Sequence, residues 1–361
     1  MKTKLILVGG FLGAGKTTLL SEIARQLQQQ KIGLITNDQA SGLVDTAFLA
    51  ASASEVREVS GSCFCCNFNG LASAIFSLQE QLGEGGLIVA EPVGSCTDLS
   101  ATILQPLKEQ FPDQLEIAPL TVLVDPRRLA GILLGAPSDL HPSAQYIIEK
   151  QLEEADVIFL NKADLLEAAE AQQLTQRAAK RWPHAIVMAG SALSGAGLAA
   201  WLDCVFTQAG AGTHLAAVDY DLYAAGEAAL GWLNARFSLQ GQEVAWDVLA
   251  ANLLRTLSEA FESRKTAVGH VKLLLENGKA FTIGNLTGNS DTLRLQNSAG
   301  SSDAALLTVN ARVEISPAHL ETLVLAALQA VCGDTVRYSV VEMNCLTPGR
   351  PNPTYRYNRV V

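Results

Sequence analysis

The sequence has no stretch suited to crossing a membrane or directing export. No run approaches the roughly 18 uninterrupted apolar residues that a transmembrane helix needs. The N-terminal letters MKTKLILVGG pass from a short apolar run straight into a glycine loop, without the cleavage site of a secretory signal. We therefore expect a soluble, cytoplasmic protein with no membrane partner.

Positive charge is also scarce. The chain carries 26 Lys and Arg against 36 Asp and Glu, and its formal net charge is -10 at pH 7. Proteins that bind a nucleic-acid backbone concentrate Lys and Arg to displace counterions, so the sequence argues against a nucleic-acid partner. It also lacks a fixed-period repeat and a low-complexity tract, which excludes a solenoid or a mainly disordered chain.

Histidine is sparse and cysteine is unevenly placed. The five histidines form no H-x-x-x-H pair, and none is assigned to a metal. Seven cysteines, an odd number without export features, indicate reduced thiols and not a disulfide framework. Cys204, Cys332 and Cys345 are isolated and are predicted to pack in the core. Three of the others fall in one short stretch, SGSCFCCNFNG at 60–70.

Six short apolar runs alternate with helical patterns over the first 206 residues. Each run is rich in Val, Ile and Leu, as in strands that are buried on both faces. The alternation predicts an α/β fold with a doubly wound, mostly parallel sheet, whose ligands bind at the carboxyl edge. The runs are KLILVGG, KIGLITND, GLIVAEP, LTVLVDP, DVIFLNKAD and HAIVMAGSA.

The apolar pattern changes after about residue 206. Small residues accumulate over 207–226, which we interpret as a linker. From 227 onward the elements read strand, helix, strands, helix, strand, which is typical of a small α+β domain. The predicted organisation is a first domain over 1–206, a linker over 207–226 and a second domain over 227–361.

A phosphate-binding loop follows the first strand. The pattern G-x-x-x-x-G-K-[ST] lies between KLILVG and the helical stretch TTLLSEIARQL, which is the context that a P-loop NTPase requires. Lys16 is predicted to contact the β- and γ-phosphates, and the Thr17 hydroxyl to bind Mg²⁺. The predicted nucleotide-binding residues of the loop are Gly10, Gly13, Ala14, Gly15, Lys16, Thr17 and Thr18.

Two later motifs favour GTP over ATP. Asn161, Lys162 and Asp164 form an N-K-x-D pattern after the strand DVIFL. Its Asp carboxylate can accept hydrogen bonds from guanine N1–H and the 2-amino group, a donor pair that adenine lacks. Ser191 and Ala192 follow the strand HAIVMAG and resemble the S-A-[KL] loop of GTPases, which implies that they close over the guanine base.

Acidic residues at two other strand ends are candidates for the magnesium side of the site. Glu91 is predicted to hold Mg²⁺, directly or through water, or to orient the attacking water. The Gly94 amide is placed to sense the γ-phosphate. The polar segment 37–45 resembles a switch loop, in which Asp38 is predicted to assist Mg²⁺ and catalysis.

The thiols of Cys63, Cys65 and Cys66 form a C-x-C-C motif between that loop and Glu91. Three thiolates with a fourth external ligand suit an open Zn²⁺ site that can accept and release metal. Cu(I) also suits soft thiolates, and burial as small apolar side chains is the structural alternative. Cys96 is a candidate fourth ligand.

These motifs, in this order and spacing, resemble the CobW-like metallochaperone GTPases over about the first 205 residues. The resemblance implies a GTPase that binds a transition metal, usually zinc, through Cys63, Cys65 and Cys66 and hands it to a client protein. It also leaves cobalt or corrinoid open. The chain departs from the family at Asp38, Ala40 and Ser62 and at Pro92-Val93, and it lacks a histidine-rich tract.

We accordingly predict a GTP-hydrolysing metallochaperone with Mg²⁺ and Zn²⁺, Co²⁺ being the alternative metal. Intrinsic hydrolysis should be slow because the loops show no arginine finger, which a client or a homodimer partner could supply. A corrinoid- or cobalt-handling GTPase that assists a cobalamin-dependent enzyme is the second hypothesis, and a binding module with a structural nucleotide is the third. The ending CLTPGRPNPTYRYN is either a client-docking tail or a surface arm.

Overall fold

The N-terminal half of the computed structural model is built on a parallel sheet, and the structure describes residues 2–38, 44–50, 55–136, 140–288 and 293–361. The strands are β1 (Thr3–Gly10), β2 (Ile32–Asn37), β3 (Glu55–Val59), β4 (Leu87–Glu91), β5 (Leu115–Ile117), β6 (Thr121–Val124), β7 (Val157–Leu160) and β8 (Ile186–Ala189). Over the described ranges their order is β3-β2-β4-β1-β6-β7-β8, with β5 also beside β1. All of these pairs are parallel.

Helices cover both faces of this sheet. They are α1 (Lys16–Gln26), α2 (Val44–Ala50), α3 (Phe68–Leu82), α4 (Gln105–Gln110), α5 (Pro126–Leu134), α6 (Pro142–Glu154), α7 (Ala168–Arg181) and α8 (Leu198–Thr207). Successive side chains of β1 point to opposite faces: Leu5 and Leu7 join the core under α3 and α6, and Ile6 and Val8 join the core under α1 and α8. Burial on both faces is why these strands are continuously apolar in sequence.

The six strands expected from apolar runs are all present, and the doubly wound parallel sheet is confirmed. Two further strands, β3 and β5, were not predicted. Strand β3 has the sequence EVREV and lies at the edge of the sheet, where most of its side chains are only half-buried. A strand with one solvent-exposed face carries polar residues, so a search for continuous apolar runs does not detect it.

The C-terminal half holds a second, antiparallel sheet, which confirms the predicted smaller α+β domain. Its elements are β9 (Gly231–Ala245), α10 (Trp246–Ser263), β10 (Val268–Glu276), β11 (Phe281–Leu286), β12 (Arg294–Asn297), β13 (Ser301–Val313), α11 (Pro317–Cys332) and β14 (Arg337–Leu346). The strand order over the described residues is β12-β11-β10-β13-β9-β14. Apolar side chains of α10 and α11 pack on this sheet in a separate core.

The segment 207–226, predicted as a linker, includes the start of helix α9 (Tyr220–Ala228), which packs against α6. A Cβ added at Gly226 would lie 2.4 Å from the Ser143 carbonyl oxygen, so glycine permits this close approach of the two helices. The division into 1–206, 207–226 and 227–361 stays a prediction. Across the described ranges, no helix combines the length and apolarity that spanning a bilayer would require.

A buried carboxyl at the end of α6 gives the fold a pH-dependent element. Glu154 is fully buried, and it accepts hydrogen bonds from the Ser100 N–H at 2.8 Å and the Thr97 hydroxyl at 3.2 Å. Burial, and then the nearby Asp98 carboxyl, raise the pKa of Glu154 well above its ordinary value. Folding therefore favours the protonated form, and the stability that this form contributes is lost as pH rises toward the raised pKa.

We expect Glu154→Gln to become progressively more stable than the wild type as pH rises. The amide oxygen can accept from the Ser100 N–H while the amide NH₂ donates to the Thr97 hydroxyl, and the amide cannot ionise. The difference in unfolding free energy should therefore grow by up to about 1.4 kcal/mol per pH unit above pH ~4.5. Urea denaturation between pH 5 and 8 measures it. Glu170→Gln on the exposed face of α7 is the matched control. Parallel pH profiles for wild type and Glu154→Gln would contradict the assignment.

Candidate functional site

The loop between β1 and α1 has the backbone geometry of a phosphate cradle. Gly10, Gly13 and Gly15 all have positive φ, at 130°, 76° and 97°. A Cβ added at Gly15 would lie 2.2 Å from Asn161 Nδ2, so only glycine fits there. No side chain caps the N-terminus of α1, which leaves its first N–H groups for an anion.

The predicted catalytic lysine and magnesium residues converge beside this loop. The Lys16 ammonium donates to the Gly10 carbonyl at 2.9 Å and lies 3.8 Å from Glu91 Oε1. The Thr17 hydroxyl donates to the same Glu91 oxygen at 3.2 Å. Burial lowers the pKa of Lys16 and raises the pKa of Glu91, because each charged form loses water.

The donor set fits a hard divalent cation. Glu91 Oε2 is buried without a hydrogen-bond partner, and it lies on a carboxylate that already contacts the Thr17 hydroxyl. Hydroxyl and carboxylate oxygens are the protein ligands that Mg²⁺ prefers. A cation would satisfy the orphaned oxygen and remove the cost of burying the charge.

Two further charged residues meet here, Asp45 of α2 and Lys272 of β10. The sequence analysis included Asp45 only as the end of the segment 37–45, and it did not identify Lys272. The Lys272 ammonium lies 2.6 and 2.8 Å from the two Asp45 oxygens and 3.3 Å from Thr17 Oγ1. Burial alone would raise the pKa of Asp45, but the Lys272 ammonium holds it below its ordinary value. Thr17 and Lys272 are 255 residues apart, so no local motif joins them.

Asp38 faces the second sheet. Its carboxylate accepts hydrogen bonds from Arg312 at 2.6 Å and Asn234 at 2.9 Å, and the ion pair with Arg312 is almost completely buried. The role of Asp38 in magnesium binding and catalysis stays a prediction. Of the predicted switch loop 37–45, residues 39–43 lie outside the described residues, and 44–45 form the start of α2.

The predicted guanine-binding residues surround the other end of the loop. Asn161 donates to the Ala14 carbonyl at 2.8 Å and accepts from the Ala192 N–H at 2.8 Å, so it joins the phosphate loop to the Ser191-Ala192 segment. Lys162 pairs with Asp125 at 2.8 Å. The Asp164 side chain is exposed and lines the cavity. Its contact with guanine stays a prediction.

A cavity of about 400 Å³ connects these groups. Both sheets contribute to its wall, since residues of β10 and β13 line it together with the phosphate loop. Gly94 lies on the same wall, and a Cβ added there would come within 3.0 Å of the Lys16 ammonium. The cavity contains all of the predicted nucleotide-binding residues except Gly10 and Ala14, which lie in the same loop.

The three cysteines of the C-x-C-C motif form one cluster. Their sulfur atoms all lie within 4.8 Å of one another, with Cys63 and Cys65 at 3.0 Å and Cys65 and Cys66 at 3.9 Å. Cys63 and Cys65 are buried and Cys66 is half-buried. Hydrogen bonds from the Cys65 and then the Cys66 thiol lower the pKa of Cys63, so one sulfur is stabilised as a thiolate, the form that binds metal.

Cys96 lies beside this cluster. The neighbouring Cys63 thiol, together with burial, raises the pKa of Cys96 well above the usual range. Among the described residues, the sulfur atoms that all lie within 4.8 Å of one another are those of Cys63, Cys65 and Cys66. Cys96 is not part of this group. A fourth-ligand role for Cys96 therefore stays a prediction.

One asparagine that the sequence analysis did not single out links the thiol loop to the cavity. Asn37, the last residue of β2, lines the cavity. Its amide donates to the Val59 and Ser62 carbonyls, both at 2.8 Å, and accepts from the Phe64 N–H at 2.8 Å. A strand-end polar residue just before a switch-like segment is the sequence signal that could have identified it.

The C-terminal segment also reaches the thiols. The Asn352 N–H donates to Cys66 Sγ at 3.3 Å, and Thr354 bonds the Cys65 carbonyl through its N–H and the Cys66 carbonyl through its hydroxyl. The Tyr355 ring packs edge-on against Phe68. The ending that the sequence left open as a docking tail or a surface arm thus covers the cysteine loop.

The N-terminal half of the chain is similar in sequence to known nucleotide-binding proteins. Residues 4–189 match the family described as CobW/HypB/UreG, nucleotide-binding domain. The zinc chaperone YjiA of Escherichia coli (strain K12) is 30% identical over 175 residues, 48% of this chain and 53% of that protein. The zinc chaperone YeiR of the same organism is 28% identical over 179 residues, 48% of this chain and 51% of that protein.

These alignments span about half the length of the curated relatives. Among solved structures, Zn(II)-bound YjiA GTPase from E. coli aligns with 92% of this chain and 99% of that chain, at 16% identity and a TM-score of 0.39.

Proposed function

Because the chain belongs to the CobW/HypB/UreG family of nucleotide-binding proteins, we propose that it is a GTP-hydrolysing zinc chaperone. Zn²⁺ is its cargo, held by Cys63, Cys65 and Cys66 and passed to a client protein under control of the bound nucleotide. The proposal includes a cytoplasmic location, where thiols stay reduced; each of the seven cysteines is free. The names of the two zinc-chaperone relatives support zinc over cobalt.

In the proposed mechanism, the phosphate loop and Lys16 bind the triphosphate, and Asp164 selects guanine. Thr17 and Glu91 would hold Mg²⁺, which neutralises charge on the β- and γ-phosphates when bound. Water attacks the γ-phosphorus as the bond to the β–γ bridging oxygen breaks, which yields GDP and phosphate. Burial of Lys16 and Glu91 strengthens their electrostatic interactions at the reacting end.

The position of Asn37 is the observation that supports coupling between the nucleotide cavity and the cysteine cluster. The same residue lines the cavity and hydrogen-bonds the cysteine loop, at Val59 and Ser62 before the motif and at Phe64 between Cys63 and Cys65. A shift of the β2 end on nucleotide exchange would therefore change the spacing of the thiolates. Metal affinity is sensitive to ligand geometry, so such a shift can release the cargo.

The proposal is tested by measuring the zinc affinity of anaerobically purified protein, once with a non-hydrolysable GTP analogue bound and once with GDP bound. We expect affinities that differ by at least about fivefold, the lower end of typical coupling between sites. Asn37→Ala should remove the difference while each ligand still binds. Asn67→Ala is the matched control, because Asn67 flanks the cysteine loop as the N-cap of α3 but does not line the cavity.

Equal zinc affinities in the two nucleotide states of the wild type would rule out nucleotide control. Elemental analysis of the purified protein addresses the cobalt- or corrinoid-handling alternative, because that hypothesis requires bound cobalt. A protein that binds GTP but never hydrolyses it would fit the third hypothesis, a binding module with a structural nucleotide.

A further inference from the structure

We propose that Lys272 of the second sheet is a catalytic residue for GTP hydrolysis, supplying in cis a cation that contacts the γ-phosphate. This inference rests on the proposed GTP hydrolysis. The phosphate loop contributes one lysine, Lys16, and the sequence showed no arginine finger in the loops. The fold brings the second cation from β10, beyond the predicted first domain.

The position of the Lys272 ammonium carries the inference. It lies 3.3 Å from the Thr17 hydroxyl, the group at the Mg²⁺ and γ-phosphate end of a phosphate loop, and it lines the nucleotide cavity. Both oxygens of Asp45 hold it, at 2.6 and 2.8 Å, and each of the two side chains is 15% exposed. The ammonium is thus preorganised and largely shielded from water, which strengthens its attraction for phosphate oxygens.

Before a nucleotide binds, the charges of the four side chains around Thr17 cancel one another. Two ammonium groups, Lys16 and Lys272, face two carboxylates, Glu91 and Asp45. Mg²⁺·GTP brings a net charge of about -2, and the transition state gathers charge on the γ-phosphoryl and bridging oxygens. His270 lies on the same strand, but burial lowers its pKa well below the usual range, so it is neutral and does not offset this charge.

In the proposed step, water forms a bond to the γ-phosphorus and the bond to the β–γ bridging oxygen breaks, leaving GDP. The Lys272 ammonium stays protonated and neutralises charge on the γ-phosphoryl oxygens throughout. Asp45 is a positioning residue, because it acts through the lysine that it holds. A positively charged side chain supplied in this way typically accelerates phosphoryl transfer by 10³–10⁵ in GTPases that use arginine, and we expect roughly 10² for this lysine.

Lys272→Met, Lys272→Arg and the double variant Asp45→Asn/Lys272→Met test the proposal. Single-turnover hydrolysis at saturating GTP should fall roughly 100-fold in Lys272→Met, with at least a tenth of wild-type activity kept by Lys272→Arg. The preference for a GTP analogue over GDP should fall roughly tenfold, because GDP lacks the γ-phosphate. GDP affinity should stay unchanged, which also reports that the variants are folded.

The double variant separates catalysis from structure. If Lys272 served only to neutralise buried Asp45, removing both charges would restore hydrolysis, and that result would overturn the inference. Hydrolysis by Lys272→Met within twofold of wild type would overturn it too. Wild-type protein that fails to hydrolyse GTP would instead overturn the proposed function, and the inference with it.

A second, independent observation concerns the C-terminal strap, defined here as residues 350–357. We infer that Asn352 is a positioning residue of the thiol site, because its backbone N–H donates to Cys66 Sγ at 3.3 Å. Thr354 fixes the strap on the loop through the Cys65 and Cys66 carbonyls, at 2.8 and 3.1 Å. Arg356 anchors it to the buried Asp98 carboxylate at 2.7 Å.

An N–H donor at a ligating sulfur engages one of its lone pairs and so orients the sulfur toward the metal. Asn352→Pro removes this donor and keeps the chain length, whereas Asn352→Ala keeps the donor and removes only the side chain. We expect Asn352→Pro to weaken zinc binding roughly tenfold, within the range for outer hydrogen-bond partners of metal ligands. Asn352→Ala should match the wild type.

Competition with a chelator gives the zinc affinity, and Co²⁺-substituted protein gives a sulfur-to-cobalt charge-transfer band. The band should shift in Asn352→Pro and not in Asn352→Ala, because only the first changes a donor at the sulfur. Unchanged zinc affinity and an unchanged band in Asn352→Pro would overturn the assignment. A chain that ends at Gly349 removes the whole strap and should reproduce the Asn352→Pro result.

Discussion

Asp164→Asn should weaken GTP binding by about 10³-fold. The carboxylate of the N-K-x-D motif is proposed to accept two charge-assisted hydrogen bonds, from guanine N1–H and the 2-amino group. Each such bond contributes about 1.5–3 kcal/mol, and an asparagine amide would also direct N–H groups at the base donors. Xanthosine triphosphate carries a carbonyl in place of the 2-amino group, so the variant should bind it better than the wild type does.

Titration of a fluorescent guanine nucleotide, followed by competition with GTP, ATP and xanthosine triphosphate, measures these preferences. Asp203→Asn is the matched control, because it removes the same charge from the exposed side of α8, outside the cavity. It should leave all affinities unchanged. Undiminished GTP binding by Asp164→Asn would show that the base lies elsewhere in the cavity.

Replacing all three clustered cysteines by serine should abolish tight zinc binding, with a loss of at least about 10⁴-fold in affinity. Structural zinc sites with four protein ligands bind with about 10–16 kcal/mol, so each ligand accounts for about 3 kcal/mol or roughly 100-fold. Cys65→Ser alone should therefore weaken binding about 100-fold. GTP binding should be kept, because the sulfurs do not line the nucleotide cavity.

Chelator competition under anaerobic conditions measures this loss. Cys204→Ser is the matched control, because Cys204 is a free, buried cysteine in the opposite core of the sheet. The variant Cys96→Ala tests whether Cys96 is the fourth zinc ligand. Unchanged zinc stoichiometry and affinity would exclude Cys96 as a ligand. Zinc bound at full stoichiometry and wild-type affinity by the triple serine variant would contradict the assignment of the cargo site.

The sequence alone determined the features that are local in the chain. The phosphate loop is readable because its glycines must adopt positive φ within six residues, as Gly10 and Gly15 do. The thiol cluster is readable because three cysteines within four positions are close in any compact backbone. The parallel sheet is readable because strands buried on both faces must be continuously apolar. The family follows from these motifs and is confirmed by the match over 4–189.

Only the tertiary structure decided which distant residues complete the sites. Lys272 and Thr17 meet across 255 residues, and Asn352 and Cys66 meet across 286. Nothing in the local sequence marks these residues, since a lysine on a strand or an asparagine between prolines fits many surfaces equally well. Their contacts depend on how the second sheet and the C-terminal strap pack against the first domain. Long-range packing sums many weak interactions, and no single residue pattern encodes it.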